Sequence, residues 1–184
     1  MEGGVMLTRL FGAVFILFLA IAMPSLAMAE LSIAVVDTRV LLSESDASKD
    51  VSKQLASHRE DVLKELAKKE KDLISEQNKV VEAKKNLSED DFIKKAKAFE
   101  ENKRAFQKLS IDLNEKFNRA AAEAESSLKI KVVEIVQSIA AAKNYDLVIT
   151  KQNVIVGTKS IDLTEEAMAR LNKEVPSYKV KFQK

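Results

Sequence analysis

YDLVITKQNVIVGT, Tyr145 to Thr158, carries two short apolar runs separated by Lys151, Gln152 and Asn153. The runs are rich in β-branched residues and are bounded by polar ones, which is the pattern of a small β-hairpin. Upstream, residues 45–143 are dominated by Lys, Glu, Ala and Leu. A hairpin at the end of a long charged helical region asks what the two do for each other, and the fold follows from the answer.

Working back from Tyr145, the apolar residues fall on a helical stripe. Phe92, Ala96, Phe99, Phe106, Leu113, Phe117, Ala121, Ala124, Leu128, Val132, Ile135 and Ile139 keep to one face, ending near Asn144. An earlier stripe runs through Val51, Leu55, His58, Val62, Leu66, Lys69, Leu73, Gln77 and Val80. Its steps of four, three and four make an eleven-residue repeat, which holds one face along a nearly straight helix. Leu63, Ile74 and Val81 widen it. Residues 86–91, Asn-Leu-Ser-Glu-Asp-Asp, interrupt the pattern: Ser88 can cap a new helix, with Asp91 where a capping box wants an acid. Glu89 and Asp90 suit the positive end of that helix dipole. No glycine lies between Gly12 and Gly157 and no proline between Pro24 and Pro176, so nothing breaks either helix. Helices of about 40 and 55 residues, roughly 60 and 80 Å long, form an antiparallel hairpin over residues 45–143 with its tip near 86–91.

This arm begins just after a β-branched segment, Ile33 to Asp37, and ends just before Tyr145–Thr150. The sequence therefore predicts an α+β protein, mostly α: a long helical hairpin on a small β-sheet body. Residues 30–44 and 144–184 make the body, with a third strand at Val154–Thr158 and a short helix at Thr164–Lys173, begun by Thr164 with Glu165 and Glu166. The runs containing Val35 and Val36, Val148 and Ile149, and Val154, Ile155 and Val156 are continuous, as in strands buried on both faces. Three strands and one small helix cannot cover two faces, and open edges invite aggregation. Those seven residues are therefore expected to build a β core shared between copies of the chain.

The first 29 residues are a separate segment. Arg9 precedes an apolar run, Leu10 to Met23, followed by Pro24, Ser25 and Ala27-Met28-Ala29. That is the plan of a secretory signal peptide cleaved after Ala29. The run is short of the roughly 20 residues that span a bilayer. A second reading keeps residues 10–23 in place as the anchor of a membrane-bound coiled-coil stalk; the small-x-small end and the terminal strands argue against it.

On these residues the chain resembles the Skp (OmpH) family of periplasmic chaperones. The likeness is carried by IAVVDTRVLLSES from Ile33, by LSEDDF at the hairpin tip, and by YDLVITKQNVIVGTKSIDLTEEAMARLN from Tyr145. It implies a homotrimer with a β body and three arms around a cavity. It also implies a periplasmic, ATP-independent holdase for unfolded outer-membrane β-barrel proteins.

The chemistry available is sparse. The chain has one His, no Cys and no Trp, and from Glu30 onward a single Gly, Gly157. Thiol catalysis, Cys-based zinc sites and phosphate-cradling loops are excluded, and His58 sits on the helical stripe, not in a triad. We assign no catalytic, metal or cofactor residue. The net charge of +2 gives poor support to nucleic acid as a partner. Phe92, Phe99 and Phe106 recur every seven residues; they suit packing against Leu73, Ile74, Val80 and Val81, or contact with clients inside a cavity. Lys94, Lys95 and Lys97 begin a basic cluster beside them, a solvated face or a means of attracting acidic clients or an anionic membrane surface. These six are the candidate client-binding residues.

Overall fold

The computed structural model describes residues 31–183. The segment read as a signal peptide, with its alternative as an anchor, lies outside the described residues. The elements are a strand β1 (Ile33–Val36) and the helices α1 (Thr38–Glu44), α2 (Asp46–Asn86) and α3 (Glu89–Lys143). A second strand, β2 (Leu147–Thr150), and a final helix, α4 (Thr164–Glu174), follow. Among the described residues no helix is long and apolar enough to cross a membrane.

The arm is the pair α2 and α3, 41 and 55 residues long. Each end is set by a side chain. Ser45 separates α1 from α2 with an extended backbone, and its hydroxyl accepts the Ser48 amide at 3.3 Å. At the tip only Leu87 and Ser88 are non-helical. The Ser88 hydroxyl accepts the Asp91 amide at 3.3 Å and donates to the Asp91 carboxylate at 2.7 Å. This is a tighter loop than a capping box, since the acid returns to the hydroxyl and not to the backbone. α3 stops at Asn144, whose φ of 56° is left-handed. Asn tolerates that conformation, and the turn gives the Ala140 carbonyl the Tyr145 amide at 3.0 Å.

α3 also builds the body. Val132, Ile135 and Ile139 join Ala34, Val36, Leu41, Leu163, Ala167 and Leu171 in one buried cluster. β1 and β2 pair in parallel, Ile33 opposite Leu147 and Val36 opposite Thr150. Parallel strands need a long crossover between them, and here the whole arm is that crossover. β1 is covered on both faces within the chain, because Ala34, Val35 and Val36 are all buried.

Two expectations are corrected here. Val154–Thr158 is not a third strand, and the sheet is two-stranded. Tyr145–Thr158 is not a hairpin either: a three-residue hairpin loop needs a left-handed residue, and among the described residues only Asn144 and no glycine has positive φ. Lys151–Asn153 instead forms a 3-10 turn that leads the chain away from β2. Thr164 begins α4, as the sequence has it. The cap position is Leu163, while the Asp162 carboxylate accepts the Thr164 amide at 2.9 Å and also its hydroxyl. The Thr164 hydroxyl in turn accepts the Asp37 amide at 2.8 Å.

Asp162 thus ties α4 to the end of β1. The Lys151 ammonium at 2.8 Å, and next the Thr164 hydroxyl, hold its carboxyl at about 2, against an ordinary 3.8. Asp37, which caps α1, is also lowered, mainly by the Val40 amide and then by the Gln152 side chain. Because the folded pKa of Asp162 lies below its unfolded value, its contribution is complete above about pH 4 and is lost as pH falls toward 2. We predict that the melting temperature declines across that window. Asp162→Ala should cost about 1–2 kcal/mol at neutral pH, because it removes the charged acceptor of the Thr164 amide and hydroxyl, and flatten part of the decline. Thermal melts followed by circular dichroism from pH 7 to acid check both.

Candidate functional site

Two helices bury only one stripe each, and in the arm that burial is shallow. Between Val51 and Ala120, Ala83 alone is buried among the described residues. Phe92, Phe99 and Phe106 are half-buried, facing α2 across the seam; Phe106 borders a groove with Leu73 and Leu109. Leu63, Ile74 and Val81 do not widen the buried stripe: they are 58%, 54% and 60% exposed.

Helical geometry places these residues on one side. At about 100° per residue, Leu63, Ile74 and Val81 fall within about 20° of one direction, some 80° from the seam line of Leu66, Leu73 and Val80. On α3, Ile93 and Ile111 are about five full turns apart and share one direction, roughly 100–140° from the three phenylalanines. Both rotations have the same sense along the chain. Since the helices run antiparallel, equal rotations bring both lines to the same side of the hairpin. Ile93 is 42% and Ile111 61% exposed, and Leu87 at the tip is exposed as well. The result is a ladder of separate exposed apolar side chains from Leu63 to Leu87, about 36 Å long, with the exposed Glu70, Glu100 and Arg104 set between them in the same direction. The opposite side is polar: Lys69, Asp72 and Glu76 border the Phe106 groove, and Asn102 donates to both Glu76 oxygens at 3.0 Å.

The lysines are not one group. Lys97 flanks the ladder, whereas Lys94 and Lys95 turn roughly 100° and 200° away from Ile93. All three are exposed, and Lys94 reaches Asp91 at 3.6 Å. Exposed pairs of this kind contribute little stability, so the arm's charges act through solubility and long-range attraction.

At the body, the seven residues read as an intersubunit core divide. Val35 and Val36 are buried within the chain, and Val148, Ile149 and Val154 are half-buried. Ile155 and Val156 are 101% and 88% exposed. They project beside a shallow hollow lined by Val35, Val154 and Ile161. A second apolar hollow lies on the other side of the body, between β2 and α3, where Val133, Val136, Tyr145, Leu147 and Val148 meet. Among the described residues no cluster of three or more His, Asp or Glu side chains is arranged to hold a metal.

Fold and surface together define a class: a small α/β body carrying one long helical arm whose apolar ladder stays open to solvent. The family model for outer membrane protein (OmpH-like) matches residues 32–171, and the chain belongs to that family. A Skp-like protein of Pseudomonas aeruginosa is 29% identical over 153 residues, covering 82% of this chain and 89% of that protein. An uncharacterized protein of Aquifex aeolicus is 32% identical over 153 residues, 78% of this chain and 87% of its own length. A crystal structure of an OmpH-like protein from Caulobacter crescentus CB15 superposes with a TM-score of 0.78 at 15% identity, covering 88% of this chain and 96% of that one. At that identity it shows the shared fold.

The ladder contributes exposure and not stability. Ile74→Gln and Ile111→Gln should therefore change unfolding free energy by no more than about 0.5 kcal/mol. Leu128→Ala, in the buried arm base, should cost about 2–5 kcal/mol. Urea unfolding of the three variants makes the comparison.

Proposed function

We propose that the protein is a periplasmic chaperone: an ATP-independent holdase that keeps unfolded outer-membrane β-barrel proteins from aggregating. The observation that carries this reading is the open apolar ladder on one side of an otherwise charged arm. Apolar side chains left exposed along one side of an arm over tens of ångströms offer another chain many weak contacts. Unfolded barrel strands expose alternating apolar residues and unpaired edges, and a long surface of spaced apolar and charged side chains meets them without selecting a sequence. Family membership supports the chaperone role, and no residue is assigned a catalytic or cofactor-binding one.

In this reading the functional unit is a homotrimer whose arms enclose a cavity, with the ladders turned inward. Phe92, Phe99 and Phe106 give the seam its bulk, and Lys97, with Lys94 and Lys95 further round, favours acidic clients or an anionic membrane surface. Copies join through Ile155 and Val156. Secretion with cleavage after Ala29 delivers the chain to the periplasm.

Three outcomes are expected. Purified periplasmic protein should have the intact mass of a chain starting at Glu30; protein that retains residues 10–23 in the membrane fraction supports the anchored stalk instead. Ile155→Asp should keep the helical signal and lose the oligomer in sedimentation, because burying an unpaired carboxylate costs several kcal/mol. Finally, light scattering of a porin diluted from urea should be suppressed without nucleotide. A Leu63→Gln, Ile74→Gln, Ile111→Gln triple variant should suppress it poorly. Equal protection by the triple variant would sink the ladder as the client surface.

A further inference from the structure

After α4 the chain does not stop at the body. Pro176 cannot continue the helix, and residues 177–183 run extended along the first turns of α2, beyond the end of the family match at residue 171. The sequence there, Tyr178-Lys179-Val180-Lys181-Phe182-Gln183, alternates apolar and polar residues. The apolar set faces inward. Val180 is 4% exposed, packed among Ala47, Val51, Ala120, Ala124 and Leu128, with Tyr178 and Phe182 against the same cluster. The Phe182 ring stacks on His58 at 3.8 Å, and His58 lies over Phe117 at 6.4 Å. Lys179 and Lys181 face solvent.

The backbone is read as well. Gln54 donates from Nε2 to the Tyr178 carbonyl at 2.7 Å, and its Oε1 accepts the Val180 amide at 3.0 Å. One carboxamide thus serves residues 178 and 180 as the N–H and C=O of one residue on a neighbouring parallel strand would. Asp50 accepts the Tyr178 amide at 3.3 Å, one helical turn earlier. The repeats agree: four helical residues rise about 6 Å, and two extended residues about 6.6 Å. Positions 50, 54 and 58 of α2 therefore keep step with 178, 180 and 182.

We propose that this groove at the arm base is a binding site for one extended strand of alternating apolar and polar residues, and that the C-terminal tail is its built-in occupant, displaced when a client strand enters. The site reads main-chain groups and every second side chain, which is how strand recognition stays sequence-tolerant. A membrane β-strand has that same alternation, so the occupant is a strand of an unfolded outer-membrane barrel. The inference rests on the chaperone reading above. The tether makes the tail a strong competitor, at an effective concentration of about millimolar, so a client already held by the ladder gains the groove while a free peptide is largely excluded.

The test uses a fluorescent peptide with the sequence of residues 177–184, and a permuted peptide with Tyr, Val and Phe placed together. Full-length wild type is compared with Val180→Lys, whose helical content is checked by circular dichroism; if it fails to fold, Phe182→Lys takes its place. The alternating peptide should bind the variant at least about tenfold more tightly than wild type, because the tail no longer holds the site closed, and the permuted peptide should bind neither. In wild type, saturating unfolded porin should speed hydrogen exchange of the Val180 amide at least about tenfold. Equal affinity for both proteins, equal affinity of both peptides, no binding at all, or unchanged exchange at Val180 overturns the proposal. Light scattering separates the two readings. Suppression without strand binding rejects the groove alone, and strand binding without suppression rejects the holdase role while the groove stands.

Discussion

α3 is one uninterrupted helix of 55 residues, and the rest of the chain is arranged around that continuity. Its C-terminal third is the body core, through Val132, Ile135 and Ile139. Its middle is the arm base, through Ala120, Ala124 and Leu128, and its N-terminal part is half the arm. A backbone ladder of this length has no hinge of its own without a Pro, a Gly or an inserted bulge. Arm and body are therefore mechanically one piece along α3. The one break in continuity between body and arm lies on the other helix, where Ser45 separates α1 from α2. That break is where the structure concentrates its polar fastenings: the buried Ser45–Ser48 hydroxyl pair at 2.8 Å, and the Asp46 amide held by the Asn172 side chain at 2.9 Å.

The same continuity explains the exposed surface. A hairpin of two helices has one seam, and a residue some 80° from it has nothing to pack against. A third helix would bury Leu63, Ile74 and Ile111 and turn the arm into a bundle. Without one, the arm relies on intrinsic helix propensity, on caps such as Ser88, and on a seam of half-buried phenylalanines. The distal arm contributes reach and apolar surface at little gain in stability, whereas the base and body hold the molecule together. Charged residues around the ladder keep such a surface soluble.

The arm was legible in the sequence because its determinants are local. Period, missing breakers and the Ser88 cap all act within a few residues of where they are read. The presence of β1 and β2 was legible too, from their β-branched runs. Their meeting at the arm's base follows from the helical hairpin, but their parallel direction and the course of the chain after β2 were not legible: Lys151–Asn153 has the composition of a hairpin loop, and its backbone lacks the left-handed residue that such a loop needs. α1 was missed because seven residues carry too little periodicity, although Asp37 stands where a cap would. On the arm, Leu63, Ile74 and Val81 could be phased from sequence alone, but whether a line beside a seam is covered depends on how many helices share it. The tail was the least legible part. Its alternating pattern reads as a strand, yet its partner is the side chain of Gln54 on a helix, and no strand-pairing rule anticipates that.

His58 and the alanines of the arm base acquire a reason from this arrangement. On a two-helix seam, small residues at 47, 120 and 124 would leave a void. With Val180 seated among them the packing closes, and the imidazole at 58 becomes a flat platform for Phe182 in place of a misplaced polar group in a seam. The base of the arm is therefore a three-stranded contact in which the third member is an extended segment. That member is the easiest to exchange, since it is held by a few side-chain hydrogen bonds and one short apolar row and not by its own secondary structure. In the proposed function the ladder and the groove divide the work of holding an unfolded chain. The ladder offers apolar area without geometry, and the groove offers strand geometry over a short length. Neither selects a sequence, and neither needs to bind tightly when both act on the same client.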